Sequence, residues 1–207
     1  MPAPIPRMKA EDRRESVLAA ATVVFGEYGY VGTTTDRVAR AAGVSQPYVV
    51  RMFGTKEQLF VEVLERASGR LLATFRRVLA QHPGDSPSEE LGRSFGRAYV
   101  ELLSDRGLLL SLMHGFVSGG DPVIGPLVRR GFLDVYTFLR TEAGFDAERV
   151  REFLASGMLL NTIVGLRMGD EFETNETARE LMHVIAPEKL DLILSLGETQ
   201  RAEAGER

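Results

Sequence analysis

The sequence predicts an all-α fold, and three observations carry that reading. Apolar residues recur at helical rather than alternating spacing along the 207-residue chain. Glycines and capping residues punctuate those stretches where helices must stop and start. A strand pattern arises only in the alternating leucines before Gly197, and Pro187 at the start of that segment favours a helix there too.

The first half of the reading rests on Thr33 to Gln58, TTTDRVARAAGVSQPYVVRMFGTKEQ. Thr34 is a good N-cap, because its hydroxyl can accept from a first-turn N–H. Val38, Ala39 and Ala42 follow at helical spacing, and Gly43 supplies the left-handed residue that stops the helix. Val44 plugs the corner. Ser45 caps the next helix, and Pro47 in its first turn removes no intrahelical bond. Val49, Val50 and Phe53 give that helix an apolar stripe, and Thr55 with Gln58 has capping-box spacing for the helix after it. Two short helices joined by a glycine turn are the plan of a helix-turn-helix, whose second helix enters the major groove of DNA.

The remaining elements follow in order. Residues 1–9 hold three prolines and two basic residues, and read equally as a disordered segment or a groove-reaching arm. Helix one runs from about Ala10 to Tyr28, with Leu18, Ala21, Phe25 and Tyr28 as its buried stripe. Arg13 and Arg14 on its polar side suit phosphate or solvent alike. A long helix runs from Thr55 to near Gln81, where His82-Pro83-Gly84 ends it. At ~1.5 Å per residue its ~25 residues span ~38 Å, enough to belong to both the head and the body. Ser86 and Glu89 form a second capping box for a helix to about Leu103, and Ser104 or Asp105 caps another that ends at Gly119-Gly120. Asp121-Pro122 opens the next, to about Thr141, in which Pro126 predicts a kink or restart. Gly144 breaks it, Asp146 caps a helix to about Met168, and two short helices close the chain near Asn175–Ile185 and Pro187–Leu196.

Composition excludes several classes of function. There is no cysteine, so disulfides and thiolate chemistry are absent. The longest uncharged stretches fall short of the ~20 residues that span a bilayer, and no signal-peptide run is seen. A cytoplasmic protein without membrane attachment is the expectation. Net charge is −4, but eight basic and five acidic side chains lie between Arg7 and Lys56, so a head of +3 sits on a body of −7. His82, His114 and His183 have no metal-ligand spacing, Gly119-Gly120 lacks the surroundings of a phosphate loop, and no nucleophile has a base beside it. No catalytic residue, metal site or cofactor is predicted.

Candidate contacts lie on the second helix of the head. Gln46 can pair with the N6/N7 edge of adenine, Tyr48 can touch a phosphate or a thymine methyl, and Arg51 suits guanine or phosphate. Thr33, Thr34, Thr35 and Lys56 sit at helix N-termini, where partial positive charge and free N–H groups favour phosphate. Ser45 and Pro47 complete the set at the start of the reading helix. In the body, His114 and Asn161 interrupt apolar helices. They are either satisfied core groups or orienting groups of a cavity lined by Met113, Phe116, Phe132, Tyr136, Leu139 and Met158. The stretch from Phe153 to Leu166 is apolar around most of its circumference and must be covered on several sides. It is either a central helix or one shared with a second subunit.

The head resembles the N-terminal domain of TetR-family transcription regulators. The resemblance rests on Gly29 after helix one, Thr34 as cap, Ala42-Gly43-Val44, the helix Ser45 to Met52, Phe53, and Lys56-Glu57, and it covers roughly residues 10–66. One departure stands out. The family usually ends its recognition helix Leu-Tyr-x-His-Phe, whereas Val49-Val50-Arg51-Met52-Phe53 stands here, so the usual phosphate-touching tyrosine is missing at Val50. Tyr48 either replaces it or does not.

The resemblance implies a helix-turn-helix DNA-binding domain over 1–54, joined by the start of the linking helix to about 66, and a helical effector-binding and dimerisation domain over 55–207. It further implies a homodimer on a palindromic operator, a repressor released by a largely apolar small molecule, and a dimer contact through Phe153, Gly157, Leu160 and Val164. A small-molecule binder or enzyme that keeps the head only structurally is the alternative.

Overall fold

The computed structural model describes residues 9–84, 87–102, 105–185, 190–191 and 193–194, and among these every regular element is helical. The head comprises α1 (Ala10–Gly32), α2 (Thr35–Ala41) and α3 (Gln46–Phe53). The body comprises α4 (Lys56–Ala80), α5 (Glu89–Leu102), α6 (Arg106–Val117), α7 (Ile124–Thr137), α8 (Ala147–Gly165) and α9 (Glu176–Ile185).

Most boundaries fall where capping chemistry puts them. The Thr34 hydroxyl accepts from Arg37 N, and Gly43 takes φ +64° after α2. Both bonds of the Thr55/Gln58 capping box are present at the start of α4. Asp121 Oδ1 accepts from the N–H groups of Val123 and Ile124 at 2.8 and 2.9 Å, and Asp146 Oδ1 accepts from Arg149 N at 2.8 Å. Gly144 at φ +71° ends α7 through a π-helical turn, Phe138–Glu142, in which Phe138 and Leu139 are buried.

Other boundaries differ from expectation. Ser45 holds the cap position of α3 without a capping bond. Ser88 accepts from Leu91 N at 3.1 Å at the start of α5, while Ser86 lies outside the described residues, as do Ser104 and most of the expected Pro187–Leu196 helix. Asp105 precedes α6 with no capping bond, its carboxylate paired instead with Arg70. Pro126 bends nothing, because α7 starts only at Ile124 and the ring therefore occupies the first turn. The eighth helix stops at Gly165, and Arg167 turns the chain at φ 55°.

A buried cluster runs from the head into the body without interruption. It contains Val17, Phe25, Val38, Val49, Phe53, Leu59 and Phe60 at one end, and Leu108, Ile124, Leu160 and Met182 at the other. Phe60 is the hinge of this packing, its ring 4.6 Å from Phe25 and 5.2 Å from Tyr30. A second cluster, centred on Phe75, Phe95, Phe138 and Phe145, fills the far end of the body. Two stripe assignments change. Tyr28 is 38% exposed and Val50 is 40% exposed, while Val17 and Val24 are buried in α1.

The head joins the body twice. The fourth helix is the covalent link, and Arg14–Glu62 and Arg66–Glu15 ion pairs hold α1 along it. The second joint is α1 against α6, the most extensive helix pair in the fold. A Cβ on Gly107 would meet Thr22 O at 2.6 Å, and one on Gly26 would meet Gly107 Cα at 2.8 Å. The buried Ser111 hydroxyl donates to Thr22 O at 3.0 Å, beside that contact. Gly107→Ala must therefore push two backbones apart, and should cost about 1–3 kcal/mol in urea unfolding. Gly69→Ala, on an exposed part of α4 with nothing within 4 Å, should instead gain about 0.5–1 kcal/mol.

Candidate nucleic-acid interface and ligand cavity

The third helix turns Val49 and Phe53 inward and leaves Ser45, Pro47, Val50 and Arg51 exposed, with Gln46 and Tyr48 half-buried. Its outer side chains are already organised. Gln46 Nε2 donates to Thr35 Oγ1 at 3.2 Å, joining the start of α3 to the start of α2. The Arg51 guanidinium lies 5.0 Å from the Tyr48 ring centroid. At the edge of the head, Arg37 lies 4.3 Å over Tyr28, and Lys56 lies 4.5 Å over Tyr30 while its ammonium donates to Tyr30 O at 2.9 Å. Burial, with the charges of Glu57 and Asp121 behind it, raises the Tyr30 phenol above its ordinary pKa.

Thr33 does not share that outer surface. It is fully buried, and its hydroxyl reaches Gly29 O at 2.7 Å and Val24 O at 3.3 Å. Gly29, at φ 67° and ψ −179°, breaks α1, so carbonyls of its last turn need donors from elsewhere. Thr33 supplies one. His114 supplies another from the body, its Nε2 standing 3.3 Å from Gly26 O and its ring 3.1 Å from where a Gly29 Cβ would be.

His114 therefore belongs to the joint between head and body. Of the eight residues expected around a cavity, four gather: Phe116, Phe132, Met158 and Asn161 line an apolar space of about 70 Å³ between α4, α6, α7 and α8. Leu71, Phe75, Tyr99, Leu112, Val135, Phe153 and Gly157 also line it. Met113 and His114 are off-phase, because ~100° per residue puts Leu112 and Phe116 on the opposite side of α6 from His114. Leu139 is buried in the far cluster, and Tyr136 is 39% exposed and does not line the cavity. Asn161 is buried and its Oδ1 accepts from the Tyr99 hydroxyl at 2.7 Å, a partner with no sequence signal because it comes from α5.

The residues of α8 assigned to a second subunit pack partly on the body. Phe153 packs edge-on against Phe75 at 5.7 Å, Leu160 is buried, Val164 packs on the core, and Gly157 faces Tyr99. The outward side carries Ala155, Leu159, Thr162 and Leu166, with Leu159 at 45% and Leu166 at 64% exposure. Leu181 and Val184 on α9 are exposed as well. The sequence showed that α8 is apolar all round; which side the body takes depends on α5, and that is a tertiary fact.

Comparison with known proteins decides what this arrangement is. The profile of bacterial regulatory proteins of the tetR family matches residues 17–63, the span of α1 to α4 that builds the head. FasR of Mycolicibacterium smegmatis, named an HTH-type transcriptional activator, is 36% identical over 167 residues, covering 78% of this chain and 74% of that one. The chain belongs to the TetR family. It is thus a helix-turn-helix transcription regulator that binds DNA sequence-specifically. Among solved structures, a putative transcriptional regulator from Pseudomonas aeruginosa superposes with TM-score 0.59 over 97% of this chain and 96% of its own, at 20% identity. The multidrug binding protein EbrR complexed with malachite green superposes with TM-score 0.51 at 28% identity, covering 73% of this chain and 84% of its own.

Within this TetR-family regulator, α6 has two working sides. Leu112 and Phe116 line the cavity, while Gly107, Ser111 and His114 grip α1. Among the described residues no helix is long and apolar enough to cross a membrane, and no group of three or more His, Asp or Glu residues could hold a metal ion.

Burial pushes the Tyr99 phenol up to about 12. An unfolded chain ionises tyrosine from about pH 10, so the stability contributed by neutral Tyr99 is complete below about pH 10 and lost as pH rises to about 12. The unfolding free energy from urea titrations should fall across that window by up to about 1.4 kcal/mol per pH unit more in the wild type than in Tyr99→Phe. Identical slopes in the two proteins would show that Tyr99 ionises freely in the folded state.

Proposed function

We propose that the regulator is a homodimer in which residues 1–54 read a palindromic operator and residues 55–207 bind an effector and dimerise. The observation that carries this reading is the outer surface of α3, where Arg51 lies against the Tyr48 ring and Gln46, joined to Thr35, stands at the helix start. In this reading Gln46 and Arg51 meet base edges. Thr34, Thr35, Ser45, Pro47 and Lys56 fix the backbone. Thr33 leaves the contact set, because its hydroxyl is committed inside. Val50 joins it, since an exposed valine on a reading helix can pack against a thymine methyl.

One head covers a half-site, and a two-fold dimer sets two reading helices about 34–36 Å apart or a multiple of that. The exposed apolar row of Leu159 and Leu166 on α8, with Leu181 and Val184 on α9, is the surface that supports dimerisation. It extends the Phe153, Gly157, Leu160 and Val164 set, of which Leu160 is buried and the other three are half-buried. The small molecule is largely apolar and occupies the space between Phe116, Phe132 and Met158. At about 70 Å³ that space is far below the ~300–1,000 Å³ of ordinary ligand pockets, so binding must part the helices around it.

Parting them moves α6, and α6 carries α1 with it through the Gly26–Gly107 contact. Control then follows from differential affinity, about 1.4 kcal/mol for each factor of ten between operator-competent and operator-incompetent forms. Release of the operator means loss of repression or loss of activation according to where the operator lies. FasR is named an activator, and the curated AcnR of Corynebacterium efficiens a repressor.

The test is operator binding by variants. Gln46→Ala should lose about 1–3 kcal/mol on the cognate site and little on random DNA, whereas Lys56→Ala should weaken both and flatten the salt dependence. Equal losses for Gln46→Ala on both DNAs would remove it from the reading set. Leu159→Glu should sediment as a monomer at micromolar concentration and bind a half-site only. A wild type that itself sediments as a monomer there would overturn the dimer.

A further inference from the structure

Three recesses in the body share walls. The inner cavity meets a groove of about 460 Å³ between α5 and α8 at Tyr99, Phe153 and Gly157, which line both. On its other side it meets a recess of about 340 Å³ between α6 and α7 at Phe116, Val128 and Phe132, which again line both. The cavity is a neck between two outer spaces, with Phe116 and Phe132 in the wall toward one and Tyr99 and Phe153 in the wall toward the other.

The two closures differ in stiffness. Phe116 and Phe132 meet edge to face at 5.9 Å and 84°, and Phe132 is 39% exposed on the surface of α7. Rotation of the Phe132 ring toward solvent leaves the buried clusters untouched. The opposite wall is held from within. Tyr99 is bonded to Asn161 at 2.7 Å, and Phe153 packs edge-on against Phe75 at 5.7 Å and Phe95 at 6.3 Å. Opening that wall requires breaking a buried hydrogen bond or repacking an aromatic cluster.

We infer that the recess between α6 and α7 is the mouth of the effector site, that Phe132 is its door, and that the Tyr99–Phe153 wall is the stop that sets how long a ligand the regulator accepts. This rests on reading the inner cavity as the effector site. The ligand class is a narrow, mostly apolar molecule that enters end-on. Recess and neck share Phe116, Val128 and Phe132, and together they reach the ~300–1,000 Å³ range that the neck alone does not. The mouth is edged by Leu133 and by Arg129, whose guanidinium donates to Gly119 O at 3.0 Å, so any polar end stays outside with solvent.

The experiment uses the full chain and straight-chain alcohols from butanol to hexadecanol as probes, titrated by calorimetry. Affinity of the wild type should rise about four-fold per added methylene until the chain meets the stop, and then level off. Phe153→Ala opens the wall into the α5/α8 groove and should move that limit to longer alcohols. Phe153→Leu, which keeps bulk in the aromatic cluster, should move it less, and decides the question if the alanine variant does not fold. Phe132→Ala should speed association several-fold and leave the limiting length where it is.

A limit that is the same in the wild type and in every folded Phe153 variant would overturn the stop. An association rate unchanged by Phe132→Ala would overturn the mouth. If no alcohol binds any of the proteins, this proposal and the cavity reading fall together. If the limit moves but operator affinity ignores the alcohols, the stop stands and control through this cavity falls.

Discussion

The contact on which most of this structure depends is backbone against backbone, where α1 crosses α6 at Gly26 and Gly107. Helices with side chains at the crossing pack at about 8–10 Å between axes. Glycine on both sides lets them come closer, so that Ser111 reaches a main-chain carbonyl of α1 and His114 reaches another. Without that approach the head would be held only by α4 and its ion pairs. Exposed and half-exposed pairs of that kind contribute little rigidity. With it, the buried cluster continues from the head into the body, and a displacement of α6 has nowhere to go but into α1.

This changes how the regulator conveys a signal. The length of α4 alone suggests a lever, with the head swinging at the end of a ~38 Å rod. The structure adds a second connection that bypasses the rod, because one side of α6 lines the cavity and the other side grips α1. Close-packed interfaces of this kind shift between discrete arrangements rather than deform smoothly. In the proposed dimer, a head held at two points would rotate about the line between them, and such rotation would alter the spacing of the two reading helices.

The head was legible in the sequence because its signals are local. Caps such as Thr34 and Thr55, and the turn at Gly43, act within four residues of themselves. The body was legible as helices but not as faces. Met113 and His114 looked like cavity residues because they sit beside Leu112 and Phe116, and a ~100° step per residue is enough to separate them once α6 has chosen its phase. That phase is set by Gly107 against Thr22 O, a contact between residues far apart in sequence. The same holds for α8, whose apolar circumference left its orientation open until Tyr99 met Asn161. Thr33 was misplaced for another reason. A threonine before a helix reads as a cap, and only the break at Gly29 reveals that its hydroxyl is needed inside.

The tyrosines at the end of α1 carry a consequence of their own. Arg37 and Lys56 lie across Tyr28 and Tyr30 in the free protein, and the Lys56 ammonium has already committed one of its three donors to a carbonyl. Long cationic side chains normally lose about 0.5–1.5 kcal/mol each in rotamer freedom when a partner immobilises them. Here folding has largely exacted that loss before any DNA arrives. Cations set in advance on aromatic plates are a stiff electrostatic template. Such a template favours duplexes whose phosphates already stand in the matching places, and it penalises those that must bend to reach it.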